Sequence, residues 1–194
     1  MKCWNSTISS RSAIPPHDRP EYIAQGGVGV KKQEKTNVMR VLEQKKVPYT
    51  AHAYAPEDMD PSEVAALSGE EIARRLGEPV ERVFKTLVTR GKTGQYYVFV
   101  VPVAEELDLK KAAKACGEKA VAMIPQKELL PLTGYVHGGC SPVGMKKQFP
   151  TFVHETAAGF ETFYVSAGKV GVQIELDAND LGKVIRLQFA DVVC

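Results

Sequence analysis

Two apolar runs, Val83–Arg90 and Gln95–Val101, flank Gly91-Lys92-Thr93-Gly94, and this pattern constrains the chain more than any other feature. Turn residues between two runs rich in β-branched and aromatic side chains predict an antiparallel hairpin. Side chains alternate across a strand, so Val83, Lys85 and Leu87 share one face while Phe84, Thr86 and Val88 share the other. Both faces are largely apolar, so the strand needs cover on both sides. The longest apolar stretch, Tyr96–Ala104, contains Pro102 and falls far short of the ~20 residues of a membrane helix.

The rest of the chain supplies that cover. Val38, Val41 and Leu42 line one face of a short helix that ends near Lys46, before Val47-Pro48. Tyr49–Tyr54 alternates as a strand. Asp60-Pro61-Ser62-Glu63 is a helix start, with Asp as cap and Pro in the first helical position; that helix re-angles at Gly69 and stops at Gly77. Asp108 opens a helix through Ala115 that Gly117 closes. Ala120–Ile124 reads as a strand, Pro125-Gln126-Lys127-Glu128 as a short helix, and Tyr135–Gly144 as loop. Strands follow near Thr151–His154, Phe160–Val165 and Gly171–Leu176, then a helix from Asp177 and a last strand over Val184–Val193. Strands mixed with short helices, without strict alternation, predict a mixed α/β fold: a curled sheet or barrel with helices packed outside. No G-x-G-x-x-G follows a strand, which argues against a regular Rossmann sheet.

Residues 1–34 are rich in Ser, Pro and Gly and read as a flexible leader before one domain spanning 35–194. The leader holds five of the 25 Lys and Arg and three of the 23 Asp and Glu, so residues 35–194 carry 20 of each sign. A neutral domain binds nucleic acid only through a local basic patch. The N-terminus lacks a signal-peptide core, and Cys3, Cys116, Cys140 and Cys194 are scattered, as free thiols in a reducing cytoplasm would be. His17, His52, His137 and His154 are equally isolated, so no metal-ligand spacing exists.

Four features carry chemistry. Lys85 stands on an apolar strand; it either reaches water with its head or sits desolvated and available to a ligand. Gly138-Gly139-Cys140-Ser141-Pro142-Val143-Gly144 is either a plain turn or a loop whose N–H groups hold a carbonyl or phosphate oxygen. Cys140 is a conceivable nucleophile without a neighbouring base. Ser166-Ala167-Gly168-Lys169 is a hairpin tip with one cation. Lys110, Lys111 and Lys114 on a helix, with Lys146-Lys147, either form the required phosphate-binding patch or are solvated surface. The acidic residues form no evident pair for acid–base work.

Taken in order, these pieces resemble the YbaK/EbsC family of aminoacyl-tRNA deacylases, related to the editing domain inserted in bacterial prolyl-tRNA synthetases. The resemblance spans about residues 35–194. It rests on Thr36-Asn37, Val47-Pro48-Tyr49 before His52 and Tyr54, Val83-Phe84-Lys85-Thr86-Leu87, Leu109-Lys110-Lys111-Ala112-Ala113-Lys114, Thr133-Gly134-Tyr135, the Gly138–Gly144 loop, Phe160-Glu161-Thr162 and Tyr164–Lys169. It implies a cofactor-free and metal-free pocket for the 3′ end of a charged tRNA. Lys85, Gly138 and Gly139 would act at the ester; Tyr54, Thr86, Ser141, Pro142, Gly144 and Ser166 would shape the substrate pocket. Lys110, Lys111, Lys114, Lys146, Lys147 and Lys169 would hold the tRNA. The branch with K-K-A-A-K and G-G-x-S-P-x-G most resembles proteins that clear cysteine from tRNA(Pro), by attack of the substrate's own thiol on its ester. Prolyl-tRNA synthetase is the expected partner and the cytoplasm the expected place; a membrane is not expected. Some members of that branch carry an aspartate seven residues after the hairpin serine, where this chain has Gln173. The alternative is a module that binds aminoacyl-tRNA or a synthetase without turnover.

Overall fold

The computed structural model describes residues 35–56 and 58–194; the expected leader lies outside them. The central hairpin forms as predicted, from β2 (Phe84–Gly91) and β3 (Tyr96–Pro102), in a register running from Phe84 opposite Pro102 to Arg90 opposite Tyr96. β4 (Val121–Met123) adds antiparallel to β2, while β5 (Thr151–His154) and β8 (Leu187–Ala190) add in parallel beyond β3. A second sheet has the order β1 (Thr50–Ala53), β7 (Val172–Leu176), β6 (Phe163–Ser166), all antiparallel.

The two apolar faces of β3 explain the layers. Val98 and Val100 join Phe84, Val88 and Val153 in one core, closed by Phe163, Val165, Ile174 and Leu176 of the small sheet. Val38 and Leu42 of helix α1 (Asn37–Gln44) complete it. On the other face, Tyr97, Phe99 and Val101 pack against Ala112 and Ala113 of α4 (Leu109–Cys116) and against Phe152, Val192 and Val193.

No sheet among the described residues closes or curls into a barrel, so that expectation is corrected. Among the described residues the sheets meet edge to edge at one parallel bridge, Val83 to Tyr164. Closure needs a continuous ladder with consistent tilt and shear. The outer strands β4 and β1, of three and four residues, offer too few ladder bonds for that. Buried side chains between the sheets hold them together instead.

Local signals fare better. Thr36 accepts from the Met39 N–H at the start of α1. Asp60 caps α2 (Pro61–Ala65) with Pro61 at its start, and Asp108 accepts from the Lys110 and Lys111 N–H groups. The break after α2 falls earlier than Gly69: Ser68 caps α3 (Gly69–Leu76) and Gly77 ends it at φ 72°. Gly69 is required for packing, because a Cβ there would lie 2.2 Å from Val103 Cβ. Helices α5 (Gln126–Thr133) and α6 (Ala178–Leu181) flank the first core. The last strand is shorter than the apolar run Val184–Val193. Val184 still closes the turn after α6, its N–H donating to Leu181 O, while beyond Ala190 the chain crosses to α4, where Asp108 N–H donates to Val192 O.

Candidate functional site

Lys85 lies opposite Val101, on the α4 side of the large sheet. Its side chain is 28% exposed, and Nζ donates to Val103 O at 3.3 Å and to the Glu106 carboxylate at 3.3 Å. The desolvated, unpaired ammonium weighed from sequence is thus half-buried and paired. The pairing is loose: strong charge-assisted bonds run ~2.7–2.9 Å, and Glu106 is 84% exposed. Such a partner is worth about 0–1 kcal/mol, so a phosphate or ester oxygen can replace it at little cost. Thr86 takes the opposite face from Lys85, as the alternation predicts. Alternation turns it toward the core between the sheets, where its buried Oγ1 has no partner among the described residues.

The Val83–Tyr164 bridge lays β2 beside β6, so Lys85 and Ser166, each two residues further on, leave the same side. Ser166 is buried, and its Oγ accepts from the Gly168 N–H at 3.2 Å. Across the ladder stands Gln173, 5% exposed, whose Oε1 has no partner among the described residues. Tyr54 anchors the hairpin: its phenol oxygen accepts from the Gly171 N–H at 2.9 Å, and its own N–H donates to Gly171 O. Burial pushes its phenol pKa up, so it remains protonated.

The paired glycines have a steric reason. Gly138, at φ +78°, lies so close to α2 that a Cβ would be 3.1 Å from Ala65 Cα; at Gly139 a Cβ would be 3.2 Å from Val170 N. The loop is wedged between α2 and the hairpin tip, and this places it beside the Ser166–Gly171 turn. Only part of it can donate: Gly139 N–H is committed to Val136 O at 3.1 Å, whereas Gly138 is exposed.

The rest of the loop faces elsewhere. Ser141 is fully buried and accepts from the Val143 N–H. Burial pushes the Cys140 thiol up to about 12, which keeps it protonated and unreactive. Pro142 and Gly144 line a separate cavity of about 200 Å³ with Val41, Lys147 and Ile185. Gly144 O accepts from Asn37 at 2.9 Å and Val143 O from Tyr135 at 2.6 Å, so this end of the loop is bolted to α1.

The expected basic patch is divided. Lys110 and Lys114 are exposed on α4. Lys111 is pinned, donating to Asp191 and to Val193 O, each at 2.8 Å. Lys146 and Lys147 follow Met145, which packs into the opposite core, and Lys146 reaches the carbonyls of Leu130 and Pro131. Lys169 is exposed at the hairpin tip. The sheet therefore separates the α4 lysines from Lys146 and Lys147.

One cluster was missed from sequence. Arg82 bonds Glu78, Glu175 and Thr162, and its guanidinium lies 5.2 Å over the Tyr164 ring. His52 meets Glu175 at 3.0 Å. Burial raises the Glu175 pKa, but bonds from Thr162, His52 and Tyr164 outweigh it and hold the carboxyl below its usual range. The i,i+4 spacing of Glu78 and Arg82 was the available signal. No three His, Cys, Asp or Glu side chains gather as a metal site among the described residues.

A half-buried cation beside a serine-bearing hairpin, with the paired glycines packed against the hairpin's tip, suits an anionic ligand carrying a small group. The profile of the aminoacyl-tRNA editing domain matches residues 62–184. EbsC of Enterococcus faecalis, named as a candidate Cys-tRNA(Pro)/Cys-tRNA(Cys) deacylase, is 48% identical over 163 residues, covering 84% of this chain and 95% of its own. A proline–tRNA ligase of Fervidobacterium nodosum is 26% identical over 143 residues, 71% of this chain and 25% of the ligase. The crystal structure of a candidate trans-editing enzyme for prolyl-tRNA synthetase superposes with a TM-score of 0.68 at 24% identity, covering 81% of this chain and 95% of that one. The chain belongs to the aminoacyl-tRNA editing domain family.

Proposed function

We propose that this editing deacylase works in trans and strips a small mischarged amino acid, cysteine before others, from tRNA(Pro). The observation that carries the reading is Lys85: an ammonium on an apolar strand, loosely held, beside the Ser166 hairpin. It would bind the terminal phosphate or the ester, and the exposed Gly138 would offer its N–H to the carbonyl. Tyr54, Ser166 and Gln173, all buried, would border the small amino-acid side chain.

An aminoacyl ester is already activated, so orientation and oxyanion stabilisation suffice without a strong protein nucleophile. Cysteine supplies its own. Its sulfur bonds to the ester carbonyl carbon, the bond to the ribose oxygen breaks, and the thiol proton ends on that oxygen, giving a cyclic thioester and free tRNA. The sealed thiol of Cys140 fits this route, which asks nothing of it. The kinship with EbsC and with a proline–tRNA ligase supports tRNA(Pro) as substrate, prolyl-tRNA synthetase as neighbour and the cytoplasm as workplace.

The test is a panel of Cys-, Ser- and Ala-tRNA(Pro), with amino-acid release followed over minutes. Cys-tRNA(Pro) should be consumed fastest. Equal rates for cysteine and serine would remove the thiol step; tight binding without release of any would leave only the binding module.

A further inference from the structure

Two lysines of the expected tRNA patch, Lys110 and Lys114, lie with three cations outside it, Lys119, Lys92 and Arg90, on the α4 side of the large sheet. Lys110 and Lys114, one turn apart on α4, share a groove of about 450 Å³ with Lys119, floored by Leu109 and Ala113. It adjoins a second hollow of about 570 Å³ at Ala120 and Val121, whose wall holds Arg90 and Lys92. All five cations are exposed, and none forms an ion pair among the described residues.

Only two carboxylates, Glu118 and Glu128, line these hollows. Glu118 is turned to the β2–β3 turn, where Thr93 and Tyr97 donate to it. Asp108 is occupied in capping α4. In a domain with equal numbers of cations and acids, this is a concentrated positive face.

Its position gives it a use. Glu106, the partner of Lys85, lies two residues before the cap of α4. The basic groove therefore starts beside the candidate site and runs away from it along the helix, then on to the β2–β3 turn. The eight residues of α4 span ~12 Å at 1.5 Å each, and the cations beyond extend the line. A nucleic-acid chain with its end at Lys85 would lay successive phosphates along it.

We infer that Lys110, Lys114, Lys119, Lys92 and Arg90 form a phosphate-tracking surface for the RNA backbone that leads away from the 3′ end. This rests on the editing reading for the identity of the RNA, and it takes Lys111, Lys146 and Lys147 out of that surface. The test is binding of uncharged tRNA(Pro) across a salt series, so it does not depend on turnover. Log affinity falls with log salt by about 0.7–0.9 per phosphate contact. Lys110→Gln/Lys114→Gln/Lys119→Gln should shallow that slope by about 2 or more, and Lys92→Gln should shallow it further. Lys146→Gln/Lys147→Gln should leave it unchanged. A triple variant with the parent slope, or an equal loss in the Lys146/Lys147 pair, overturns the inference. A charged-tRNA panel without turnover, beside the expected slopes, would sink the deacylase reading alone.

Discussion

A lysine on a strand of apolar neighbours must satisfy its ammonium somewhere, and Lys85 does so with one backbone carbonyl and one solvent-facing carboxylate. Neither bond contributes much to stability, so Lys85→Ala should change the urea midpoint little and leave the circular dichroism spectrum intact. Its effect should fall on turnover, with a loss of about 100-fold if the ammonium stabilises developing charge; near-parent kcat/KM would show that it does not meet the substrate. Cys140→Ser asks the opposite question. The thiol is sealed, so cleavage of Cys-tRNA(Pro) should stay within about twofold, and a collapse of rate with the fold intact would make Cys140 the nucleophile. Gln173 is a third kind of residue. A buried amide oxygen without a partner costs about 1–3 kcal/mol, a defect retained where a ligand completes it. Gln173→Leu should therefore raise the unfolding free energy by about 1 kcal/mol while slowing deacylation. A variant that is both destabilised and fully active would exclude that role.

Helix ends and the central hairpin were legible in sequence because their causes are local. Asp60-Pro61, Asp108 and Gly117 act within one turn of themselves, and the β2–β3 pairing needs only a short turn between two apolar runs. What stayed hidden depends on distant partners. Nothing near Gly69 announces Val103 across the gap, so its glycine was read as a bend when it is a contact. Alternation already sends Thr86 and Lys85 to opposite faces of β2, but it does not tell that the Thr86 hydroxyl is buried without a partner among the described residues. The basic patch was drawn as one because sequence does not say which side of the sheet a loop returns on. Within the candidate site, the hairpin and the paired glycines were readable as features; their meeting at Val170 was not. The close approach at Gly69 carries a prediction of its own. Gly69→Ala forces a methyl into Val103, and overpacking of this kind costs about 1–3 kcal/mol. Urea denaturation should show it, and Gly69→Ala/Val103→Ala should recover much of it. A single variant as stable as the parent would mean that α3 shifts freely on the sheet.

Buried apolar side chains hold the two sheets together, and around the single bridge that joins their edges among the described residues an ionic cluster adds to them. Arg82, Glu78, Glu175, His52 and Tyr164 surround the point where β6 meets the chain entering β2. The Glu175 carboxyl is held below its usual range in the folded state. A carboxylate of depressed pKa stabilises fully above its unfolded value, about 4.3 for glutamate, and that stabilisation is lost as pH falls through the folded value. The seam between the sheets should therefore weaken below about pH 4.3, with no such loss between neutral pH and 5. Other acids that hydrogen bonds hold low, such as Asp108 and Glu118, titrate in the same direction and add an acid limb that Glu175 does not own. Comparison with a variant separates them. Glu175→Gln keeps the shape and removes the charge, so its Tm at pH 7 should be lower than the parent's, and its decline from pH 5 to 3.5 should be shallower. Parallel acid limbs in parent and variant would show that the Glu175 cluster does not govern how the sheets hold together.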